Sequence, residues 1–223
     1  MVSEAIVTPR MDRGRHLSHR RPHSSVIVTI VIVTAVVVIL ALLVVGPYNG
    51  LVRWRNHYRN AWAQIDVQLK RRYDLIPNLV EATRAYLAHE RGTLDAVISA
   101  RAAATSAAAA ARLSPGDPSS MAGLAGAEGS LRGALGRLFA LVEAYPNLKA
   151  DKTIARLTEE LTSTENRIGF ARQAFNDTVT AYNTAREVFP AVLFAAALGF
   201  GPAQLLEATA TPAEREVPRV VLP

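Results

Sequence analysis

The chain has 223 residues, a formal net charge of +6 and no cysteine, so disulfides, cysteine metal sites and thiol catalysis are excluded. Half of the charge excess lies in the first 25 residues, where five arginines against two acidic residues give +3; from Pro47 onward, 20 basic residues face 17 acidic ones. Such a balanced part is not typical of nucleic-acid binding, and we expect no nucleic-acid partner.

An uncharged stretch separates Arg21 from Arg53, and its centre is almost purely Val, Ile, Leu and Ala. A helix of about 20 residues spans roughly 30 Å, the thickness of the hydrocarbon core of a bilayer. We therefore predict a transmembrane helix at residues 26–46, with the lipid bilayer as a partner. A cleaved signal peptide is the alternative, but its apolar region is usually about 7–15 residues long, and residues 44–48 form a poor cleavage site.

A basic tail, residues 1–25, precedes this helix. Its arginines outnumber the three that closely follow the helix, Arg53, Arg55 and Arg59. Because the more basic flank of a membrane helix faces the cytoplasm, the N terminus is predicted to be cytoplasmic. The sequence thus predicts a single-pass plasma-membrane protein with an exported C-terminal part.

Bulky apolar side chains then recur at steps of three and four, close to the helical period of 3.6. They are Leu51, Trp54, Tyr58, Trp62, Ile65, Leu69, Tyr73, Ile76 and Val80. Pro47 can start this helix. Pro77 is predicted to end or sharply kink it, because proline removes an amide donor and disfavours the α conformation in the preceding residue. We expect a turn at residues 74–78.

A second helix is predicted over about residues 78–112. Its alanine-rich end, residues 102–111, favours helix and permits close packing. A loop follows at residues 113–120, in which Asp117 and Pro118 stand in the order expected of a helix N-cap and first helical residue.

The third helix carries five glycines, which weaken a helix by about 1 kcal/mol each relative to alanine, so we expect either a tightly packed neighbour or a frayed start. They are Gly123, Gly126, Gly129, Gly133 and Gly136. Pro146 is predicted to close this helix, and a fourth helix to follow over residues 149–189. Four amphipathic helices joined by short turns can bury their apolar stripes only against one another. The predicted fold class is therefore all-α, with an N-terminal transmembrane helix followed by an antiparallel up-and-down four-helix bundle of long helices at residues 47–189.

Several blocks are distinctive in combination: AWAQIDVQLKRRYDLIPNLV at residues 61–80, ALGRLF at 134–139, EAYPNLKA at 143–150 and ENRIGFARQ at 165–173. With them, residues 48–200 closely resemble the LemA family. The resemblance implies a bacterial single-pass membrane protein with an exported four-helix bundle, in a family whose biochemical activity is not established. Some relatives are associated with magnetosome membrane formation, which implies membrane organisation and not catalysis.

The predicted topology brings the turns at residues 74–78 and 145–149 together at the end of the bundle remote from the membrane. Its side chains form a candidate docking site for an acidic partner or a cell-envelope polymer: Lys70, Arg71, Arg72, Asp74, Asn78, Asn147 and Lys149. Alternatively, this is a solvated helix end whose charges pair four residues apart, as Asp66 with Lys70 and Lys70 with Asp74.

Residues 188–206 form a second uncharged stretch, which prolines and glycines interrupt before it is long enough to span a bilayer. We expect a short apolar helix and an extended tail over residues 190–223. The stretch either packs against the bundle, which we favour, or lies in the outer leaflet. In the second case its candidate membrane-contact residues are Phe189, Leu193, Phe194, Leu198 and Phe200.

No motif specifies a reaction. His89 and Glu90 are not followed by a second histidine at the zincin spacing, and the glycines at residues 123–129 match neither the dinucleotide nor the Walker pattern. We therefore predict no catalytic residue, no metal site and no cofactor. Glu165 is expected to pair with neighbouring arginines on the helix surface. Three asparagines are expected near the core, where they would fix helix register: Asn166, Asn176 and Asn183.

The first interpretation is a membrane-anchored, non-enzymatic interaction or scaffold protein of the cell envelope, with an unidentified envelope protein as its partner. One alternative is an exported ligand-sensing bundle, which a polar pocket between helices would favour. Another is an accessory subunit of a membrane peptidase complex, which converging titratable groups would favour. The apolar stripes and the glycine face can pair within or between chains, so a homo-oligomer stays open.

Overall fold

The computed structural model describes residues 22–87 and 89–207, and every regular element in these ranges is helical. In chain order the elements are α1 (Pro22–Arg84), α2 (Arg91–Leu113), α3 (Pro118–Ala144), the short α4 (Pro146–Ala150), α5 (Lys152–Glu187) and a 3-10 turn (Ala191–Leu193). The all-α prediction is confirmed. Most of the predicted basic tail and the predicted extended end fall at residues 1–21 and 208–223, outside the described residues.

The described chain divides between Leu42 and Leu43 into two units. The part from Leu43 onward is called the helical domain below. In the first unit, the Val, Ile and Leu side chains of α1 are exposed from residue 26 onward. Of the helices in the described part of the chain, α1 is the one long and apolar enough to cross a membrane. Pro47, predicted to start a helix, lies inside it.

The predicted turn at residues 74–78 is wrong, because α1 continues through Pro77 to Arg84. Proline lacks the N–H that would bond the carbonyl oxygen of Tyr73, and Nε of Arg101 on α2 donates to that oxygen instead, at 2.6 Å. The carbonyl therefore keeps a partner although the helical hydrogen bond is missing. The next helix, α2, starts 13 residues later than predicted.

The predicted cap of α3 is confirmed. The carboxylate of Asp117 accepts hydrogen bonds from the hydroxyl of Ser119 at 2.6 Å and from the backbone N–H of Ser120 at 2.9 Å. Pro118 lies in the first helical turn. These hydrogen bonds, with that of Ser119 the largest contribution, lower the pKa of Asp117 because they favour its charged form.

The glycines of α3 do not behave as expected. The helix is continuous from Pro118, and a Cβ at four of its glycines would meet no neighbouring atom within 4 Å: Gly123, Gly126, Gly133 and Gly136. Both the frayed start and the tightly packed neighbour are therefore wrong at these positions.

The predicted fourth helix is divided at Asp151. Its carboxylate accepts the backbone N–H of Thr153 at 2.8 Å and of Ile154 at 3.2 Å, and so caps α5. The prediction that Pro146 closes the third helix is confirmed, since α3 ends at Ala144.

The core of the helical domain consists of the predicted apolar stripes. Buried members include Leu51, Tyr58, Trp62, Ile65, Leu69, Tyr73, Ile76 and Val80 of α1 and Ile154, Leu157, Leu161, Ile168, Phe175, Val179 and Tyr182 of α5. Trp54 departs from the prediction, because it is exposed. The ring of Tyr58 packs edge-on against Phe175 and Tyr182, with centroids 6.3 and 5.2 Å away. Aromatic contacts thus join α1 to α5.

Candidate functional site

A group of charged side chains extends from this apolar core to its edge, where Glu165 and Arg132 keep 38% and 44% of their side chains exposed. Arg72 of α1 has 2% of its side chain exposed, and its guanidinium forms ion pairs with Glu128 of α3 and Glu165 of α5. Arg132 of α3 contacts the other carboxylate oxygen of Glu165 at 3.4 Å. These four residues, called the core ion cluster, carry two positive and two negative formal charges, so each charge is offset by an opposite one.

Tyr73 connects the core ion cluster with α2. Its hydroxyl lies 2.5 Å from Oε1 of Glu128 and 3.2 Å from the carbonyl oxygen of Ala104. Burial raises the pKa of Tyr73 to about 12, against the opposing effect of the Arg72 guanidinium. Burial also lowers the pKa of Arg72, and the carboxylate of Glu165 opposes that shift. At neutral pH the phenol is therefore protonated and the guanidinium charged.

The chemistry of the core ion cluster favours a structural role. Its carboxylates face arginines, which remain protonated and cannot relay protons near neutral pH. A one-residue shift of α1 or α3 would separate the buried Arg72 from Glu128, so we interpret the cluster as a device that fixes the register of these two helices. Among the described residues, no three His, Asp or Glu side chains come together as metal ligands.

A cleft of about 210 Å³ opens beside the cluster. Arg132, Glu165 and Asn166 supply its polar side chains, and Leu135 and Phe139 contribute to its apolar wall. Pockets for drug-sized ligands are usually about 300–1,000 Å³. This cleft lies below that range, whereas an open cleft of about 580 Å³ lined by Glu143, Lys149 and Asn166 among others falls within it, so cleft volume does not decide against the ligand-sensing alternative.

Two asparagines of α5 hold residues 200–207, called the C-terminal strap. The side-chain amide of Asn183 donates to the carbonyl oxygen of Ala203 at 2.8 Å and accepts its N–H at 3.0 Å. Asn176 makes the same pair of bonds to Leu206, at 3.1 and 2.9 Å. Seven residues of helix and three of extended chain both measure about 10 Å, so the two side chains match the two backbone positions.

The strap also packs against α1. The ring of Phe200 is 1% exposed, with the Arg55 guanidinium 4.8 Å above it and the Tyr48 ring edge-on at 5.5 Å. The hydroxyl of Tyr182 donates to the carbonyl oxygen of Gly201 at 2.8 Å. The start of the strap therefore lies beside the first residues that follow the apolar run of α1.

A close approach joins the strap to the loop between α2 and α3. The N–H of Gln204 donates to the carbonyl oxygen of Gly116 at 2.7 Å. Gly116 has a φ of +85°, and a Cβ there would lie 3.0 Å from the Cβ of Ala203. Glycine is therefore required at this contact, both for backbone conformation and for space.

Between α5 and the strap, the chain exposes five large apolar side chains. We call them the apolar end surface: Val188, Phe189, Val192, Leu193 and Leu198.

The sequence model of the LemA family matches residues 61–221. This chain belongs to the LemA family. Magnetosome protein MamQ of Magnetospirillum gryphiswaldense is 27% identical over 168 residues, covering 69% of this chain and 62% of MamQ. Magnetosome proteins MamQ 1 and MamQ 2 of Paramagnetospirillum magneticum are both 26% identical over 175 residues, covering 72% of this chain and 64% of each relative. The chain thus spans less than two thirds of the length of these relatives.

In this LemA-family chain, the predicted docking residues do not share one turn. The residues that meet at the turns are Tyr86 and Asp151, whose hydroxyl and carboxylate oxygens are 3.5 Å apart. Lys70 lies 14 residues before the end of α1, and therefore about 20 Å along the helix from that point. The predicted placement of the docking residues at a common tip is wrong, because it depended on a turn at Pro77.

The individual docking residues divide into buried and exposed ones. Arg72 belongs to the core, whereas the other six are exposed: Lys70, Arg71, Asp74, Asn78, Asn147 and Lys149. Lys70 pairs with Asp74 at 2.9 Å, as the solvated-helix alternative predicts. Asp66 pairs with Arg112 at 3.0 Å and not with Lys70, and Lys149 pairs with Glu143 at 2.6 Å.

The candidate membrane-contact residues of the LemA-family chain also differ in exposure. Phe189, Leu193 and Leu198 are exposed, whereas Phe194 is half-buried against the core. Membrane contact is wrong for Phe200, because its ring is enclosed by Tyr48 and Arg55. The favoured alternative, packing against the helices, therefore holds for the strap, whereas the apolar end surface is exposed and its contact with lipid stays a prediction.

Sequence reasoning missed Glu128 and assigned Glu165 to the surface, although a signal for both was present. Three of the four cluster residues interrupt an apolar stripe at helical spacing. Arg72 lies between Leu69 and Ile76, Glu128 between Leu124 and Leu131, and Glu165 between Leu161 and Ile168. Opposite charges at stripe positions of different helices predict a buried ion pair. Of the three asparagines expected near the core, Asn166 is exposed, so that prediction is wrong for it. Asn176 and Asn183 are half-buried, but they bind the strap backbone and not another helix.

Proposed function

We propose that this LemA-family chain is a membrane-anchored, non-enzymatic interaction or scaffold protein of the bacterial cell envelope. The observation that carries the proposal is that no side chain in the most apolar stretch of α1 is buried against the rest of the protein. A surface of this kind is stable when bilayer lipid covers it. The basic residues ahead of α1 support a cytoplasmic N terminus, with the helical domain on the other side.

The helical domain, in this proposal, is an antiparallel up-and-down four-helix bundle. As the residue number increases along α1, its contact partner on α5 has a lower number: Tyr58 contacts Tyr182, and Arg72 contacts Glu165. Contacts of α1 with α2 follow the same order, since Asp66 meets Arg112 and Tyr73 meets Ala104. Reversed order of this kind supports antiparallel neighbours.

A non-enzymatic role is supported by the ion pairs of the buried and half-buried carboxylates. The carboxylates that converge in the helical domain, those of Glu128 and Glu165, are each paired with an arginine, and Glu165 also lines the small cleft beside the cluster. The relatives are named as magnetosome proteins. We take those names as support for a role in organising a membrane, with the helical domain offering its surface to an envelope partner.

The anchor is tested by introducing single cysteines. Because the natural chain contains no cysteine, a thiol reagent labels only the introduced residue. We expect the full-length protein to resist alkaline extraction from membranes. A membrane-impermeant maleimide should label Phe170→Cys in intact cells and Ser3→Cys only after lysis. Release by alkali, or the reverse labelling pattern, would contradict the proposed anchor or its orientation.

The exposed basic side chains of Lys70 and Arg71 are, in this proposal, the docking face for an acidic envelope partner. A photo-crosslinker at the neighbouring exposed Val67 should join that partner in cells, and Lys70→Glu/Arg71→Glu should abolish the crosslink. Arg72 is left unchanged, because reversing its charge would disrupt the core. The matched control reverses Lys152 and Arg156, both exposed on α5. Equal crosslinking in all three proteins would contradict the docking face.

A further inference from the structure

We propose that the apolar end surface is a second membrane-contact site, which lies in the headgroup region of the same bilayer that holds α1. The inference rests on the proposed membrane anchor and adds a lipid contact made by the helical domain itself. Its residues are Val188, Phe189, Val192, Leu193 and Leu198.

The exposure of this surface is concentrated. Phe189 and Leu193 are each 73% exposed, and all five residues fall within 11 positions of the chain. Elsewhere in the helical domain, large apolar side chains are exposed on separate elements, as at Val67, Leu113 and Phe170. Scattered apolar residues are normal on a soluble surface, whereas a contiguous group marks a contact with lipid or protein.

The backbone of this segment suits a lipid interface, because its polar groups bond to one another. The N–H of Val192 donates to Val188 at 3.0 Å, and that of Leu198 donates to Phe194 at 3.0 Å. Gly199, with φ +77°, closes the segment and allows Phe200 to donate to Ala195 at 2.9 Å. Entry into the interface therefore leaves these amides satisfied.

Contacts within the helical domain place one end of this surface beside the residues of α1 that directly follow the apolar run. Phe200, which follows Leu198 by two residues, packs against Tyr48, three residues after Val45. On α5, the ring of Tyr182 lies beside Tyr58, and the remaining turn and a half of helix rises about 8 Å toward that end. The end of the segment, at Leu198 and Phe200, therefore lies beside Tyr48, about 5 Å along α1 from Val45, a distance comparable with a headgroup region roughly 6 Å thick.

Charge around the surface also fits a bilayer. Residues 188–206 contain no charged side chain, so nothing in the segment resists entry into the interface. Arg53 is exposed on α1 five residues beyond Tyr48, about 8 Å along the helix, where its long side chain can reach anionic headgroups. Glu187, directly before Val188, pairs with Arg186 at 3.1 Å, which offsets its charge. An uncharged apolar surface near a basic residue is the pattern of an interfacial contact, and the occupant is therefore lipid.

The test uses the full-length protein in vesicles of phosphatidylcholine and phosphatidylglycerol. An environment-sensitive fluorophore is attached to Leu193→Cys, to Phe189→Cys as a second site, and to the matched control Phe170→Cys, which is 75% exposed on α5. We expect a blue-shifted emission and strong quenching by nitroxides near the lipid headgroup at residues 193 and 189. The label at residue 170 should instead be quenched by aqueous iodide.

Solvent-like emission and iodide quenching at residues 193 and 189 would overturn this inference. The same samples are extracted with alkali, which tests the anchor separately. Retention in the membrane with no lipid quenching refutes the second contact alone, whereas release by alkali refutes the proposed anchor. A blue shift without nitroxide quenching would show that protein and not lipid covers the surface, and would also overturn the inference.

Discussion

Arg72 and Glu128 form an ion pair between α1 and α3 with 2% and 12% of their side chains exposed. Removing one partner of such a pair is far costlier than removing the pair, because the remaining charge stays buried without compensation. This asymmetry separates the pair from the surface ion pairs of the same domain.

Because Arg72 keeps its second partner Glu165, we expect Glu128→Gln to lower the free energy of unfolding by about 1–3 kcal/mol, less than the loss of a sole partner would cost. The matched control is Glu143→Gln, which removes the exposed pair with Lys149 and should cost no more than about 1 kcal/mol. Arg72→Leu/Glu128→Leu should cost less than Glu128→Gln, since Glu165 keeps Arg132. Urea denaturation in detergent micelles, followed by far-UV circular dichroism, measures all three. Similar small losses for Glu128→Gln and Glu143→Gln would show that the cluster is not buried.

The stability of the helical domain should fall at alkaline pH through Tyr73. Its pKa is raised from 10.0 to about 12, chiefly by burial, so the folded state favours the protonated phenol. The stabilisation is fully present below pH 10 and is lost as pH rises from 10 to 12, by roughly 3 kcal/mol in total. Denaturation midpoints across this range should fall more steeply for the wild type than for Tyr73→Phe. Parallel curves for the two proteins would exclude Tyr73 as the group responsible.

The bond from Arg101 to the carbonyl oxygen of Tyr73 should matter only because residue 77 is proline. Arg101→Ala should cost about 1–3 kcal/mol, because it leaves that carbonyl without a partner. In a Pro77→Ala background the restored N–H can donate to the same oxygen, so the same substitution should cost less. A double-mutant cycle of unfolding free energies measures the difference, and an additive cycle would contradict the proposed replacement.

Release of the strap should follow from loss of either asparagine clamp. Asn183→Ala and Asn176→Ala each remove two hydrogen bonds to the strap backbone, and we expect faster proteolytic cleavage between residues 199 and 207. Asn147→Ala, at an exposed asparagine of α4, is the control and should leave cleavage unchanged. Mass spectrometry of the fragments identifies the cleavage site. Unchanged protection in both clamp variants would show that other contacts hold the strap.

Two Gly→Ala substitutions should have opposite signs. Gly116→Ala should destabilise, because the positive φ and the nearby Cβ of Ala203 both oppose a side chain. Gly133→Ala should stabilise by about 0.5–1 kcal/mol, because it lies inside α3 with no neighbouring atom in the way. Thermal unfolding of the two variants compares them directly. Stabilisation by Gly116→Ala would contradict the close approach of the strap.

The sequence is sufficient to predict what depends on local periodicity. The stripes that include Tyr58 and Phe175 are buried as predicted, and the cap at Asp117 forms, because each depends on residues within a few turns. The end of α1 could not be predicted in this way. Continuation through Pro77 depends on Arg101, which is distant along the chain and reaches the freed carbonyl only in the folded domain.

The candidate sites show the same limit. The positions of Arg72 and Glu165 on apolar stripes are visible in the sequence, but which charge meets which depends on the packing of three helices. The strap is harder still, because the asparagines bind backbone groups, which every residue possesses. The identities of residues 203 and 206 therefore do not indicate the contact in the sequence.

The spacing of the two clamps constrains how chains of this family can change in length. Inserting one residue between Ala203 and Leu206 would move one backbone unit about 3.3 Å from its asparagine and turn its amide away. Deleting one residue of α5 between Asn176 and Asn183 would rotate one amide by about 100° around the helix. Insertions and deletions in these two intervals are therefore expected to be rare in aligned sequences unless both asparagines are lost together, whereas the loop after α2 is free of this constraint except at Gly116.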